Sequence, residues 1–151
     1  MRRRGFLYRV RVGDNECDRA GYVLHASYTR YFVTAFDALR REVFGSYEKQ
    51  LATGFDPVLA EMHVVYLARA EVDDELELEV RVVHLDRSSM TTEIVAGNAA
   101  GAGVTARLYH VVISVADGGP GEIPDYARTS LSRYLVERVT QASGGDRRSP
   151  R

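Results

Sequence analysis

The chain has 151 residues, a length that fits one domain with one sizeable core. Hydrophobic residues make up 45% and charged residues 27%, a globular mix that excludes collagen, coiled coil and whole-chain disorder. A net charge of −1 favours neither nucleic acid nor an anionic membrane as partner, and the single cysteine, Cys17, excludes an internal disulfide and fits a reducing compartment.

Arg2-Arg3-Arg4 opens like a leader segment, but Arg9 and Arg11 interrupt the apolar run a leader requires. No stretch approaches the ~18 apolar residues of a membrane span, so the sequence predicts a cytoplasmic protein. Phe6, Tyr8, Val10 and Val12 alternate with Leu7, Arg9 and Arg11, the period of a half-buried strand. Residues 13–21 form a polar, turn-rich loop. The period then changes. Tyr28, Phe32, Ala35, Phe36, Leu39 and Val43 draw an apolar stripe along a helix of about four to five turns, with Ser27 as its expected N-cap. Gly45 and Gly54-Phe55-Asp56-Pro57 bracket a short second helix.

Strands follow. Residues 58–70 are apolar and β-branched, and Leu76, Leu78, Val80 and Val82 alternate with Glu75, Glu77, Glu79 and Arg81. Residues 90–95 and 104–115 supply two more, with turns at Asp73-Asp74, at Asp86 to Ser89 and across the glycine-rich stretch 97–103. A terminal helix is expected over 124–137, which sets the domain at 1–138 and leaves 139–151 as a tail predicted to be disordered. Consecutive strands with short turns pair antiparallel, and one apolar helix needs the sheet for burial. The expectation is an α+β fold whose sheet curls around one long helix.

Several chemical signals fail on placement. The 97–103 glycines lie between strands and open no helix, so they fit a flexible hairpin better than a phosphate loop. His25, His63, His84 and His110 never fall at metal-ligand spacing. His63 reads as a partly buried, hydrogen-bonded strand histidine. The loop from Glu16 to Tyr28 differs because it runs directly into the start of the long helix. There, backbone N–H groups without intrahelical partners can hold an oxyanion, and a nearby carboxylate can attack an electrophile or activate water. On chemistry alone, Asp18 also fits a plain acidic turn that it caps.

The same segment resembles the signature of the 4-hydroxybenzoyl-CoA thioesterase branch of the hotdog superfamily, Asp-x-Asp-x-x-Gly-x-Val-x-x-x-x-Tyr. Asp18, Gly21, Val23 and Tyr28 match in register, and Glu16 stands in for the first acid. Residues 22–28 are also similar to the His-bearing segment of bacterial acyl-CoA thioesterases associated with the Tol-Pal system, and residues 60–70 and 73–76 resemble their second strand and turn. The resemblance implies a hotdog domain, five antiparallel strands on one central helix, hydrolysing an acyl-CoA or acyl-carrier-protein thioester without metal or bound organic cofactor. It implies Asp18 as nucleophile or general base, the Tyr28 backbone N–H as a donor to the thioester carbonyl, and His25 as a group orienting water or the carboxylate. Gly21, Arg87, Ser88 and Ser89 are the implied substrate contacts, the last three toward pantetheine or a nucleotide phosphate. Tyr31, Phe32 and Phe36 belong to the core, with some lining an acyl tunnel.

One departure stands out. Many relatives carry an acid on the helix five residues after the tyrosine, where this chain has Val33; Asp37 is one turn further on. The resemblance also implies a homodimer or a dimer-of-dimers tetramer. Two alternatives to a general acyl-CoA thioesterase remain open: a polyketide-releasing thioesterase acting on a carrier protein, and a module that binds acyl-pantetheine without cleaving it.

Overall fold

The computed structural model describes residues 5–136. The expected disordered tail from residue 139 lies outside them. Strand β1 (Phe6–Arg11) leads into a loop with a single 3-10 turn at Asp14–Glu16 and then into α1 (His25–Phe44). There follow α2 (Tyr47–Ala52), β2 (Phe55–Tyr66), β3 (Glu75–Leu85), β4 (Ser89–Asn98), β5 (Gly101–Ser114) and α3 (Asp125–Ser132). The five strands form one antiparallel sheet in the order β1-β3-β4-β5-β2.

Burial explains the layering. Tyr28, Phe32, Ala35, Phe36, Leu39 and Val43 of α1 are all buried, and they share one core with Leu76, Leu78, Val80 and Val82 of β3. Ile94, Ala96, Val104, Ala106 and Leu108 extend that core across β4 and β5. Each fully buried Leu or Phe among them contributes about 1.5–3 kcal/mol. The intervening Glu75 and Glu77 stay exposed, so β3 has one register that buries its apolar set. One long helix against a five-stranded antiparallel sheet is the hotdog arrangement.

Several boundaries differ from the sequence expectation. Helix α1 begins at His25, two residues before the expected cap, and Ser27 sits inside its first turn with its Oγ donating to the Glu16 carbonyl at 2.8 Å. Leu24 takes the cap position instead; its N–H donates to that same carbonyl at 3.0 Å, so the loop backbone fixes where the helix starts. Strand β2 starts at Phe55, which pairs with Ser114, and stops at Tyr66 because the Leu67 and Ala68 N–H groups both donate to the Gly103 carbonyl at 2.8 Å.

The glycine-rich stretch is tighter than a flexible hairpin. Asn98 pairs with Gly101, so only Ala99 and Ala100 turn the chain, and a Cβ on Gly97 would lie 2.8 Å from the Gly101 carbonyl oxygen. Helix α3 ends at Ser132 rather than near 137. The chain then runs beside β3: the Val82 N–H donates to Tyr134 and the Val136 N–H donates to Val82, at 3.0 and 2.9 Å. That segment covers β3 beyond Val80, the last residue that β1 pairs at that end.

Candidate active site

The loop before α1 is held from both sides. Glu16 Oε2 accepts the Gly13 N–H at 2.9 Å and a short hydrogen bond from the Tyr31 hydroxyl on α1. The Tyr31 hydroxyl, and after it the Gly13 N–H, hold the Glu16 carboxyl below its ordinary value; burial first, then the Glu16 carboxylate, pushes the Tyr31 phenol far up. Beyond Glu16, Cys17 bridges to Val23, and Tyr22 bridges to Glu71. Gly21 turns the chain with φ 84, a conformation that favours glycine, and its carbonyl accepts the Val72 N–H at 2.9 Å.

Inside this frame Asp18 is exposed. Its Oδ1 accepts the Ala20 and Tyr22 N–H groups at 2.9 and 3.0 Å, while Oδ2 has no partner among the described residues. Asp18 therefore caps its own turn and still offers one carboxylate oxygen. Asp18 lines a cleft of about 720 Å³ together with Leu24, His25, Ala26, Tyr66 and Arg69. His25 is the first residue of α1, and its ring stacks on Tyr66 with centroids 4.5 Å apart and planes at 20°. As the first two helical residues, His25 and Ala26 have N–H groups with no intrahelical acceptor.

Tyr28 requires a correction. Its backbone N–H donates to the Leu24 carbonyl at 3.2 Å and is consumed by the helix, because α1 starts earlier than its apolar stripe indicates. The free donors of that turn are on His25 and Ala26. The Tyr28 ring does line the cleft, and its hydroxyl accepts the Ala70 N–H at 3.1 Å, tying α1 to the segment after β2. Burial pushes its phenol up.

The other expected residues are dispersed. Gly21 shapes the loop and is not among the residues lining the cleft. Within one chain Arg87, Ser88 and Ser89 line a separate cavity of about 610 Å³ with Tyr109 and Pro120, and Arg87 is paired with Glu122 at 2.6 Å. Ser89 is buried, 3.5 Å from Asp86. His63 is exposed on β2, not partly buried, because its side chain alternates away from α1 on an edge strand. Val33 and Asp37 line a third cavity of about 290 Å³ with Phe36, Arg40 and His110, at mid-helix and apart from Asp18.

Tyr22, Tyr66 and Arg69 were not legible as site residues. Tyr66 and Arg69 lie more than 40 positions from Asp18, and their segment reaches the loop through the Tyr22–Glu71 bridge and the backbone hydrogen bonds on either side of it.

A long helix whose N-terminal turn opens on an acid and a histidine, packed on this sheet, defines a hotdog-fold protein. The chain belongs to the thioesterase-like superfamily, whose family model matches residues 10–131. It is 31% identical over 85 residues to the acyl-CoA thioester hydrolase YbgC of Escherichia coli O6:H1, an overlap of 56% of this chain and 63% of that hydrolase. The match thus spans less than two thirds of that relative's length. A crystal structure of a protein from Aquifex aeolicus superposes with a TM-score of 0.75 at 28% identity, covering 83% of this chain and 98% of that one. A Staphylococcus aureus protein solved in complex with CoA superposes with a TM-score of 0.83, covering 89% and 85% of the two chains; at 15% identity the likeness is one of fold.

Proposed function

We propose that this chain is a thioester hydrolase that cleaves an acyl thioester of coenzyme A or of an acyl carrier protein to free acid and thiol. The observation that carries the reading is the shared cleft. Asp18 with its free oxygen, the exposed His25, and Ala26, which with His25 carries the first-turn N–H groups of α1, all line it, in a chain of the thioesterase-like superfamily. Asp18, Gly21, Val23 and Tyr28 in register support placing it in the 4-hydroxybenzoyl-CoA thioesterase branch.

Two carboxylate routes use the same atoms. As nucleophile, Asp18 Oδ2 adds to the thioester carbonyl carbon and the C–S bond breaks; the thiolate takes a proton from water, and a second water hydrolyses the resulting anhydride. As general base, Asp18 takes a proton from water, the hydroxide adds to the carbonyl, and the proton leaves with the thiol. In both, negative charge develops on the carbonyl oxygen, where the His25 and Ala26 N–H groups and the positive end of α1 stabilise it. His25 orients the water or the carboxylate.

The same reading includes a second copy of the chain. Strand β2 is a 12-residue sheet edge, and it exposes Val58, Leu59, Val65 and Tyr66 at 38–43%. A long apolar edge of this kind pairs readily with another. Light scattering at micromolar concentration should give two or four times the chain mass, and a stable, active monomer overturns this part.

The test of function is thiol release from a panel of acyl-CoAs, followed with a thiol reagent, for the wild type and Asp18→Asn. Release by the wild type that Asp18→Asn abolishes supports the reading. Binding of acyl-CoA without release makes the chain an acyl-pantetheine-binding module, and turnover confined to carrier-protein thioesters makes it a thioesterase of the polyketide-releasing kind.

A further inference from the structure

Arg69 lines the Asp18 cleft from the segment just after β2, and it is the only arginine among the described residues that line it. The backbone around it is fastened to the Asp18 loop. The Val23 N–H donates to Ala70 at 3.0 Å, the Val72 N–H donates to Gly21 at 2.9 Å, and Tyr22 bridges to Glu71 between them. This fastening lays the Arg69 guanidinium over the Tyr22 ring, 5.0 Å from its centroid. A guanidinium that stacks on an aromatic ring uses its flat face and keeps its in-plane N–H donors for other partners.

The Arg69 donors have no partner among the described residues. Arg9, Arg11, Arg40, Arg81, Arg87 and Arg107 each pair with a carboxylate, whereas Arg69 has no ion pair and no hydrogen bond among the described residues. The cleft thus holds one carboxylate, Asp18, and one unpaired guanidinium, Arg69. An anion that enters is repelled from the first and drawn to the second. A planar fork on a rigid aromatic platform suits a phosphate, which it can meet with two parallel hydrogen bonds.

We propose that Arg69, held on Tyr22, is the phosphate anchor of the cleft and binds a phosphate of a phosphopantetheine-type thiol carrier. The proposal rests on the thioester reading above. Coenzyme A and carrier-protein arms share the pantetheine phosphate, and coenzyme A adds nucleotide phosphates of its own.

The experiment compares wild type and Arg69→Gln on three thioesters of one acyl group: acyl-CoA, acyl-phosphopantetheine and phosphate-free acyl-pantetheine. The variant should raise KM about tenfold for the two phosphate-bearing substrates, with kcat unchanged, and leave acyl-pantetheine unaffected; the modest size reflects an exposed, salt-screened pair. Tyr22→Leu, which removes the platform, should show a weaker form of the same pattern. An effect on acyl-CoA alone places the anchored phosphate at the nucleotide end, and an effect on both places it on the pantetheine arm. Equal effects on all three substrates, or none, overturn the proposal. If the wild type releases thiol from none of them, the thioester reading fails by itself. Calorimetric binding of coenzyme A against pantetheine then still tests Arg69, since loss of the preference for coenzyme A in Arg69→Gln supports the anchor and an unchanged preference overturns it.

Discussion

Helix α1 passes two cavities that hold the same kinds of side chain in opposite states. At its N-terminal end Asp18 keeps one oxygen free, and the stacked His25 remains exposed. At mid-helix, Asp37 is paired with Arg40 at 3.1 Å, and Arg40 in turn donates to Gln50 at 3.0 Å and lies over the Tyr47 ring at 4.9 Å. His110 there is 3% exposed, packed on Phe36 with ring centroids 3.8 Å apart, and its Nδ1 has no partner. The fold has paired the charges of the second cavity with each other and sealed His110 away from solvent. Residue type alone therefore does not separate the two cavities; what separates them is that Asp18 and His25 are held in place and left open to solvent, whereas Asp37 is paired and His110 is buried.

The sharpest way to break this contrast is Asp18→Asn. Asparagine keeps an oxygen to accept from Ala20 and Tyr22, so the turn survives, but the charge and basicity are lost. Turnover with a good acyl-CoA should fall by about a thousandfold, within the range for losing a positioned base or nucleophile, with little change in the thermal midpoint. A near wild-type rate in the folded variant would remove the distinction between the two cavities.

His110 gives the next largest effect, on stability rather than rate. Burial, and secondarily the Arg40 charge, pushes its pKa down from 6.5 to about 4. Between those values the unfolded chain binds a proton that the folded chain refuses, so stability is full above pH 6.5 and falls as pH drops toward 4. The loss across that window is on the order of 3 kcal/mol. His110→Phe, which keeps a ring against Phe36 without the titration, should flatten the stability curve between pH 6.5 and 4 in chemical denaturation. Parallel curves for the two proteins would show that the buried imidazole is not what the acid limb reports.

Both cavities were unequally legible in the sequence. The strict alternation from Glu75 to Val82 and the three- and four-residue steps of α1 are direct imprints of burial, so the helix and the sheet could be read from one chain. The acidic loop could be read because Asp18, Gly21, Val23 and Tyr28 lie within 11 consecutive residues. The start of α1 could not, since it depends on Glu16 accepting from Leu24 and Ser27, a contact made only once the loop folds back. Tyr66 and Arg69 reach the cleft through strand pairing, and Arg87, Ser88 and Ser89 are carried away from it by the same sheet. Pattern records which way a side chain faces; it does not record which distant segment faces it.

His25 sharpens the contrast at smaller scale. It shares the cleft with Asp18 and stacks on Tyr66, so His25→Ala removes both a positioned imidazole and some aromatic packing. Turnover per folded molecule should fall about ten- to a hundredfold, below the Asp18 effect, since in the proposed mechanism His25 orients the reacting groups without bonding to the acyl carbon. His25→Phe separates the two losses: stacking is retained, and the rate should stay as low as in the alanine variant. A rate restored by phenylalanine would make His25 a packing residue.

The smallest effect belongs to Asp37→Asn, and its smallness is what the comparison requires. Asp37 is the acid on α1 nearest Val33, the position where the family resemblance implies a carboxylate, so residue type alone makes it a substitute. Its geometry argues otherwise. One of its oxygens lies 3.1 Å from Arg40, and the cavity it lines contains neither Asp18 nor His25. Neutralising it leaves Arg40 held by the Gln50 carbonyl and the Tyr47 ring. Because the Asp37 side chain is 41% exposed, water screens the pair, and its loss should cost less than about 1 kcal/mol in denaturant unfolding. The kcat of Asp37→Asn should stay within about twofold of wild type, the scatter of a surface substitution worth less than ~0.5 kcal/mol. A loss approaching that of Asp18→Asn would mean that an acid at mid-helix reaches the reacting thioester, and the free oxygen of Asp18 would then no longer identify the site.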